Sequence, residues 1–486
     1  MPAFFKLLSS SISLICLLVF ITSCDKKRSS ETVQEQGPRV EQKGPTEGSD
    51  QVTVAKKLQT ELKQLFQVAT YTVILSPKGD VQSSIETLLA GGAKLVYDPN
   101  NRSSGTIPFY IAELTPNQIN DSKFLGSLKL QAASFDFGTE MAQPLEGNPI
   151  SEDETIPTAT IDYTKYIPTN SVRLDQLGEH SELGENVTVA VIDTGVDASH
   201  PALKDRVVYW YDATEQTKTE LTKLSVSEDS VEINDGEKTT KILLPKALKG
   251  EEEIYTATID ESKLVAQLKR ELPKKGDFYD INENGTADKF IVFVKKNESQ
   301  FEIYVDVNGD NKFLTTEENT SKIDFNQTTK ESKNSGLIKF PSRSNIIEYP
   351  VLITEEGEKL FVEIAKSSGA HGTHVAGIIA ANDPERNLLG AAPKADIMSL
   401  KVCTAIGCSD SAILKSLVAA FYNGKVVPDV VNMSLGSKEG SSRGVISLFI
   451  NDLSAKFGTT FFISASNSGP GFRTLNHLGN AGPVVM

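Results

Sequence analysis

One stretch of this 486-residue chain constrains the fold more than any other, a continuous run rich in β-branched residues at residues 187–192 that ends at Asp193. An uninterrupted apolar run of this length is typical of a parallel strand buried on both faces. Similar runs recur at residues 395–402, 430–433 and 460–465, each after a segment typical of a helix. Alternating helices and strands predict a doubly wound parallel sheet of the α/β class, which places its chemistry at the carboxyl ends of the strands.

Asp193 is one half of a candidate catalytic pair. It lies in Val-Ile-Asp-Thr-Gly at residues 191–195, and His371 opens His-Gly-Thr-His-Val-Ala-Gly at residues 371–377. In a serine hydrolase, a His accepts the proton of the attacking Ser hydroxyl while a buried Asp fixes the tautomer of the imidazole. His371 is expected at the start of a helix, where the helix dipole disfavours imidazolium until Asp193 compensates.

Two further motifs follow in the chain, Asn-Met-Ser-Leu-Gly at residues 432–436 and Phe-Ile-Ser-Ala-Ser-Asn-Ser-Gly at residues 462–469. In this order the four motifs resemble those of the subtilisin-like serine peptidases, the subtilase family S8. The resemblance implies that Asn467 donates to the oxyanion of the tetrahedral intermediate, a contact worth roughly 3 to 4 kcal/mol. It also implies that a backbone strand binds an extended peptide or protein substrate. The residues of that strand are Ser434, Leu435 and Gly436.

The catalytic serine is the part of the mechanism that these motifs do not supply. In the family it belongs to a Gly-Thr-Ser segment several dozen residues beyond the oxyanion asparagine, and none occurs between Asn467 and Met486. We therefore expect a truncated serine-type peptidase, with a C-terminally incomplete sheet, that is inactive alone and needs no cofactor for its chemistry. The alternative is a pseudoprotease, a non-catalytic lipoprotein that keeps the cleft as a peptide-binding module.

Residues 181–486 are predicted to form the subtilisin-like domain, with a β-rich insertion at residues 206–364. The interval from Asp193 to His371 is far longer than a minimal subtilisin uses, and it alternates charged and β-branched residues. Within the family, the insertion, the Gly-Ala before His371 and Pro-Glu-Arg-Asn at residues 384–387 are similar to tripeptidyl peptidase II. Endopeptidase and tripeptidyl peptidase specificity therefore both stay open.

The N-terminus is typical of an exported lipoprotein. Residues 7–21 form an apolar stretch that is short for a membrane span, and Ile-Thr-Ser-Cys24 resembles a bacterial lipobox. Residues 1–24 are predicted to be the signal peptide and Cys24 the lipidated residue, with an uncleaved anchor as the alternative. Residues 25–50 have almost no large apolar side chains and are predicted to be a disordered tether. The expected location is the bacterial cell envelope, lipid-anchored to a membrane and either periplasmic or surface-exposed.

Residues 51–137 are predicted to form a small α+β domain. Its expected elements are strands at residues 71–75 and 109–114 and helices at residues 81–89 and after Pro116. The stretch Phe-Tyr-Ile-Ala-Glu-Leu-Thr-Pro within it resembles the inhibitory propeptide of subtilases, which implies binding to the catalytic domain in cis. An unrelated small domain is the alternative. Residues 138–180, rich in Pro, Thr and acidic residues, are predicted to be a linker or processing region.

The net charge of the chain limits the classes of partner that it can bind. A net charge of −15 argues against nucleic acid as a partner and against binding of an anionic bilayer by charge.

Apart from the two N-terminal cysteines, the chain has only Cys403 and Cys408, five positions apart. In an exported protein we expect a disulfide across this small loop, with two free thiols as the alternative.

Two loops of the insertion have oxygen ligands at the spacing of an EF-hand-like calcium site. The first has Asn311 at the sixth place, where left-handed backbone is needed and Asn is tolerated. The second lacks an acid at the twelfth place. For each, the alternative is an acidic turn that binds no metal. The candidate ligands are Asp306, Asn308, Asp310, Lys312 and Glu317 in the first loop and Asp280, Asn282, Asn284 and Asp288 in the second.

Overall fold

The structure is a computed structural model, and its elements are numbered here in chain order. It describes residues 47–63, 65, 68–101, 106–136, 138–141, 183–224, 230–234, 239–249, 253–264, 279–298, 300–311, 313, 322–328, 336–343, 345–386, 388–404, 407–423, 426–436, 444–466 and 484–485. The helices are α1 (Glu47–Leu62), α2 (Val81–Ala90), α3 (Pro116–Asn120), α4 (Ser122–Ser127), α5 (Glu261–Leu264), α6 (His371–Ala380), α7 (Asp410–Val418) and α8 (Val445–Phe457).

The strands of the described residues fall into two units, one made of residues 1–181 and 407–486 and the other of residues 182–406. In the first unit they are β1 (Tyr71–Pro77), β2 (Lys94–Tyr97), β3 (Tyr110–Leu114), β4 (Leu130–Phe135), β5 (Gly138–Met141), and, further along, β22 (Gly407–Ser409), β23 (Val430–Met433), β24 (Leu435–Gly436), β25 (Thr460–Ile463) and β26 (Val484–Val485). In the second they are β6 (Thr188–Asp193), β7 (Val207–Asp212), β8 (Thr219–Lys223), β9 (Ser230–Asn234), β10 (Thr239–Leu243), β11 (Ile254–Asp260), β12 (Lys289–Lys296), β13 (Phe301–Val305), β14 (Lys322–Ile323), β15 (Leu337–Pro341), β16 (Ile346–Glu356), β17 (Lys359–Ile364), β18 (Asn382–Asp383), β19 (Leu388–Leu389), β20 (Asp396–Lys401) and β21 (Cys403–Thr404).

The parallel sheet predicted from the apolar runs is confirmed. In the unit of residues 182–406, β20 pairs in parallel with β6 on one side and with β7 on the other. Every residue of β6 is buried, as an uninterrupted apolar run requires. The carboxyl ends of β6, β20 and β7 therefore lie together, at Asp193, Lys401 and Asp212.

The start of the predicted insertion is corrected by β7. Because β7 belongs to the parallel sheet, the insertion begins after Asp212 rather than at residue 206. The sequence of β7, Val-Val-Tyr-Trp-Tyr-Asp, has the same β-branched and aromatic character as the strands that follow it. Composition alone could not assign it to one sheet or the other.

The insertion is β-rich, as predicted. Its eight-stranded antiparallel sheet has the order β14-β13-β12-β11-β8-β17-β16-β15. Strand β12 lies inside this sheet, and its alternate side chains point to opposite faces. Phe290, Val292 and Val294 join one hydrophobic cluster, and Ile291 and Phe293 join another.

In the other unit, the predicted small domain is an antiparallel sheet of order β2-β3-β1-β4, and α1 to α4 belong to the same segment. Leu58, Ile85 and Ile119 from three of the helices share one core with the sheet. Thr115 caps α3 with a reciprocal capping box, which explains why the helix begins at Pro116. Helix α1 begins at Glu47, so the last four residues of the predicted tether are helical.

Residues 138–141 were predicted to belong to a linker, and the structure places them in a strand. β5 pairs antiparallel with β22 on one side and with β24 on the other. Its sequence, Gly-Thr-Glu-Met, has no apolar periodicity that would predict a strand. The pairing is made by backbone groups, which leave no pattern in the sequence. The rest of the predicted linker lies outside the described residues.

The same unit holds the parallel strands β23 and β25, with β26 alongside β25. None of the helices in the described part of the chain is long and apolar enough to span a membrane. Cys24 and the predicted signal peptide lie outside the described residues.

Candidate active site

Asp193 and His371 are brought into direct contact. Asp193 ends strand β6 and is fully buried, and His371 is the first residue of α6 with 14% of its side chain exposed. The distances from His371 Nδ1 to the two carboxylate oxygens are 2.8 and 2.9 Å. With its proton on Nδ1, the imidazole donates to the carboxylate, and Nε2 is left for proton transfer. The backbone N–H of Thr194 also donates to Asp193 Oδ1, at 2.7 Å.

Two glycines allow the strand and the helix to approach this closely. Gly195 has φ +94°, and a Cβ there would lie 2.8 Å from Trp210. A Cβ at Gly372 would lie 2.5 Å from the carbonyl oxygen of Gly195. A side chain at either position would therefore strain the backbone or push α6 away from Asp193.

The hydroxyl of Thr194 joins the turn after β6 to the first turn of α6. It accepts from the backbone N–H of Gly372 at 2.9 Å and donates to the carbonyl of Gly369 at 3.2 Å. This contact satisfies one of the N–H groups that a helix start leaves unpaired, since Ala370 provides no side-chain cap. Thr194 is thus a positioning residue for His371.

Three more positioning contacts were not predicted from the sequence. Ser399 Oγ accepts from Val196 N–H at 2.9 Å, and Thr373 Oγ1 accepts from Asp197 N–H at 2.9 Å. Trp210 Nε1 donates to the carbonyl of Val196 at 2.8 Å. Thr373 belongs to a recognised motif, so it could have been found. Ser399 and Trp210 lie on neighbouring strands and carry no local signal.

The hydrogen bond with Asp193 raises the pKa of His371 above its ordinary 6.5, against the opposing effect of burial. Because the folded-state pKa is the higher one, protonation of His371 stabilises the fold fully below about pH 6.5, and this contribution disappears as the pH rises through the folded-state pKa. In Asp193→Asn the carboxylate is lost while burial stays, so we expect the pKa of His371 to fall below 6.5. An NMR titration of the His371 ring measures both values. An equal pKa in the two proteins would contradict the assignment.

The insertion forms part of the wall of a cavity next to the dyad. The cavity measures about 640 Å³. Gly369 and Ala370, directly before His371, line one part of it, and Gln216, Tyr279 and Glu283 line another. The insertion thus provides side chains near His371.

The predicted peptide-binding strand is β24. Leu435 and Gly436 pair antiparallel with Met141 and Glu140 of β5, so this edge already holds an extended segment of the same chain. The Ser434 hydroxyl accepts from the Asn432 side-chain amide at 3.1 Å. Asn467 lies outside the described residues. Ser466, where the family usually has Gly, has φ +90°, the backbone conformation that Gly adopts without strain.

The predictions for the cysteines and for the calcium loops have different outcomes among the described residues. Cys403 and Cys408 are disulfide-bonded. Lys312 and Glu317 of the first calcium loop lie outside the described residues. Within the described ranges, no group of three or more His, Cys, Asp or Glu side chains is placed to hold a metal ion together.

A buried aspartate at the carboxyl end of a parallel strand, bonded to a histidine that opens a helix, defines the Asp-His pair of an α/β serine hydrolase. The chain belongs to the subtilase family, Peptidase S8, which it matches over residues 184–484.

Known relatives cover different parts of the chain. Over 109 residues it is 40% identical to the PI-type proteinase of Lactococcus lactis subsp. cremoris, which covers 20% of this chain and 6% of that protein. It is 22% identical over 468 residues to pyrolysin of Pyrococcus furiosus, covering 85% of this chain and 32% of pyrolysin. The crystal structure of tripeptidyl peptidase 2 (TPP II) matches with a TM-score of 0.45 and 19% identity, covering 62% of this chain and 27% of that one. The chain thus spans less than a third of the length of each of these relatives.

Proposed function

We propose that this chain carries most of the active site of a serine endopeptidase that is tethered to a bacterial cell envelope and cleaves peptide bonds. The observation that carries the proposal is the contact between His371 Nδ1 and the buried carboxylate of Asp193, at 2.8 and 2.9 Å. Such a contact fixes the tautomer in which Nε2 can accept a proton.

In the proposed reaction, a serine hydroxyl attacks the carbonyl carbon of the scissile bond and its proton passes to Nε2 of His371. His371 then gives that proton to the leaving amine, and the acyl group stays on the serine. Water, deprotonated by His371, releases the acid and restores the serine. The Asp193 carboxylate stabilises the imidazolium.

We also propose that the small N-terminal domain inhibits the peptidase in cis. β5 lies between β22 and β24, as an extended peptide substrate would. Asp136, two residues before β5, accepts from the Ser411 backbone N–H at 2.9 Å and from its hydroxyl at 2.6 Å. Phe109 packs edge-on against Phe449 of α8 at 5.2 Å between ring centroids. These contacts support an inhibitory segment held in the peptide-binding groove.

The proposed envelope location depends on the lipobox at Cys24, which would attach the tether to a membrane. The proposed role of the insertion is in substrate choice, because Gln216, Tyr279 and Glu283 line the cavity beside the dyad. The envelope location and the role of the insertion in substrate choice are both proposals about the whole protein.

The second candidate function is a peptide-binding pseudoprotease. It is favoured by the occupied strand edge at β24. In that case the groove would bind peptides without cleaving them. The coding DNA that follows codon 486 separates the two functions. A Gly-Thr-Ser continuation supports the peptidase, and an immediate stop codon supports the binding module.

A fluorophosphonate probe, which labels activated serines, tests the peptidase directly. We expect no labelling of the 486-residue polypeptide, and labelling of the polypeptide continued through its downstream coding sequence. His371→Ala should abolish that labelling, whereas His374→Ala should keep it because His374 is exposed one turn further along the same helix. Labelling that survives His371→Ala, or a continued polypeptide that never labels, would overturn the peptidase proposal.

A further inference from the structure

The loop after β13 in the insertion has oxygen atoms at every second position. Asp306 Oδ2 accepts from the Asn311 backbone N–H at 2.7 Å, and Asn308 Oδ1 accepts from the Asp310 N–H at 3.1 Å. Asn311 has φ +61°, the left-handed conformation that the sixth place of such a loop requires. The chain therefore turns back towards Asp306 within this loop.

Among the residues that the structure describes, one oxygen of this loop has no hydrogen-bond donor. Asp306 is 2% exposed, and its Oδ1 accepts no hydrogen bond from those residues, although its Oδ2 is bonded to Asn311. A buried carboxylate oxygen without a partner is costly, because it has lost its water and gained nothing in return.

The second acidic loop of the insertion differs in this respect. Asp280 accepts from the backbone N–H groups of Asn284 and Gly285, and Asp288 Oδ2 accepts from the side-chain amides of Asn282 and Asn284. These carboxylates already have donors from the protein itself. A cation would have to displace those donors, so this loop does not offer a buried carboxylate oxygen like Asp306 Oδ1.

We propose that the loop of residues 306–311 binds one calcium ion, with Asp306 Oδ1 as its central ligand and oxygens of Asn308 and Asp310 beside it. Carboxylate, amide and backbone oxygens suit calcium, which accepts six to eight oxygen ligands, better than magnesium, which demands strict octahedral geometry. Two carboxylates are few for a calcium site, which places the site among the weaker, extracellular type with a Kd of about 10⁻⁴ to 10⁻³ M.

The ion would stiffen one end of the insertion sheet. The backbone N–H of Asp306 donates to the carbonyl of Ile291 in β12 at 2.9 Å, so the loop is anchored to the strand beside β13. Calcium would replace the missing partner of Oδ1 at this edge. Its effect is therefore expected on the stability of the insertion.

Calcium titration of the 486-residue protein after EDTA treatment tests the site, by calorimetry and by thermal unfolding. We expect one saturable binding event that raises the Tm, with a much smaller rise for magnesium. Asp306→Asn should weaken calcium binding at least tenfold. Without calcium, it should melt at the same temperature as the wild type or higher, because the substitution removes a buried charge.

The matched control is Asp288→Asn, which alters the loop whose carboxylates have protein donors. Its calcium isotherm should equal that of the wild type, even if its Tm in EDTA is lower. The proposal is overturned if calcium leaves the wild-type Tm unchanged. It is also overturned if Asp306→Asn binds calcium as the wild type does, or if Asp288→Asn, and not Asp306→Asn, abolishes binding.

Discussion

Replacing Asp212 by alanine is expected to lower the free energy of unfolding by about 3 to 5 kcal/mol, the cost of breaking a buried ion pair. Lys401 Nζ donates to Asp212 Oδ2 at 2.8 Å, and the two side chains are 0% and 1% exposed. Burial lowers the pKa of Lys401, but the charge of Asp212 and other neighbours outweighs it, so the pKa is raised and the ammonium stays charged. Without Asp212, that charge would be buried and unpaired.

Burial and the charge of Asp212 raise the pKa of Glu363 well above its ordinary value. Asp212 is the carboxylate to which Lys401 donates.

The control is the double variant Asp212→Leu with Lys401→Met. Because it removes both charges and keeps apolar volume, it should recover most of the stability lost in the single variant. Urea denaturation at neutral pH measures all three proteins. A loss under about 1 kcal/mol in Asp212→Ala, as for an exposed pair, would contradict the prediction. So would a double variant that is as unstable as the single one.

The strands that carry this ion pair could be predicted from the sequence, but the pair itself could not. The apolar runs predicted the parallel strands, and their carboxyl ends do carry the charged residues Asp193, Lys401 and Asp212. Asp193 was recognised because a local motif surrounds it. Lys401 and Asp212 become partners only through the strand order, which places β7 beside β20. A lysine at the end of an apolar run looks like any exposed strand end, so its burial could not be predicted.

The same distinction holds in the candidate active site. Residues in a local motif could be predicted, whereas contacts that depend on the strand order or on donor positions could not. Asp193 and His371 each belong to a motif that indicates its own role, and their contact could be predicted although they lie 178 positions apart in the sequence. The strand β5 could not, because Gly-Thr-Glu-Met pairs through its backbone and shows neither apolar alternation nor a turn signal. The unpartnered oxygen of Asp306 likewise depends on where each donor points. Spacing predicts candidate ligands, whereas geometry distinguishes the two acidic loops.

Gly372→Ala is expected to separate His371 from Asp193. The new Cβ would lie 2.5 Å from the Gly195 carbonyl oxygen and 3.1 Å from Thr194 Oγ1. The nearer atom is backbone, so the first turn of α6 has to move. Overpacking of this kind costs roughly 1 to 3 kcal/mol, which exceeds the gain of about 1 kcal/mol that Ala has over Gly in a helix. We expect a net loss of stability together with a pKa of His371 that falls from its raised value.

Gly377→Ala provides the matched control on the same helix. A Cβ at Gly377 would have no atom within 4 Å, so the substitution adds helix propensity without a clash. It should raise the free energy of unfolding by roughly 0.5 to 1 kcal/mol and leave the His371 titration unchanged. Denaturation and NMR titration of both variants give four values. If Gly372→Ala behaves like Gly377→Ala in both measurements, close approach to Gly195 does not explain why Gly follows the catalytic histidine.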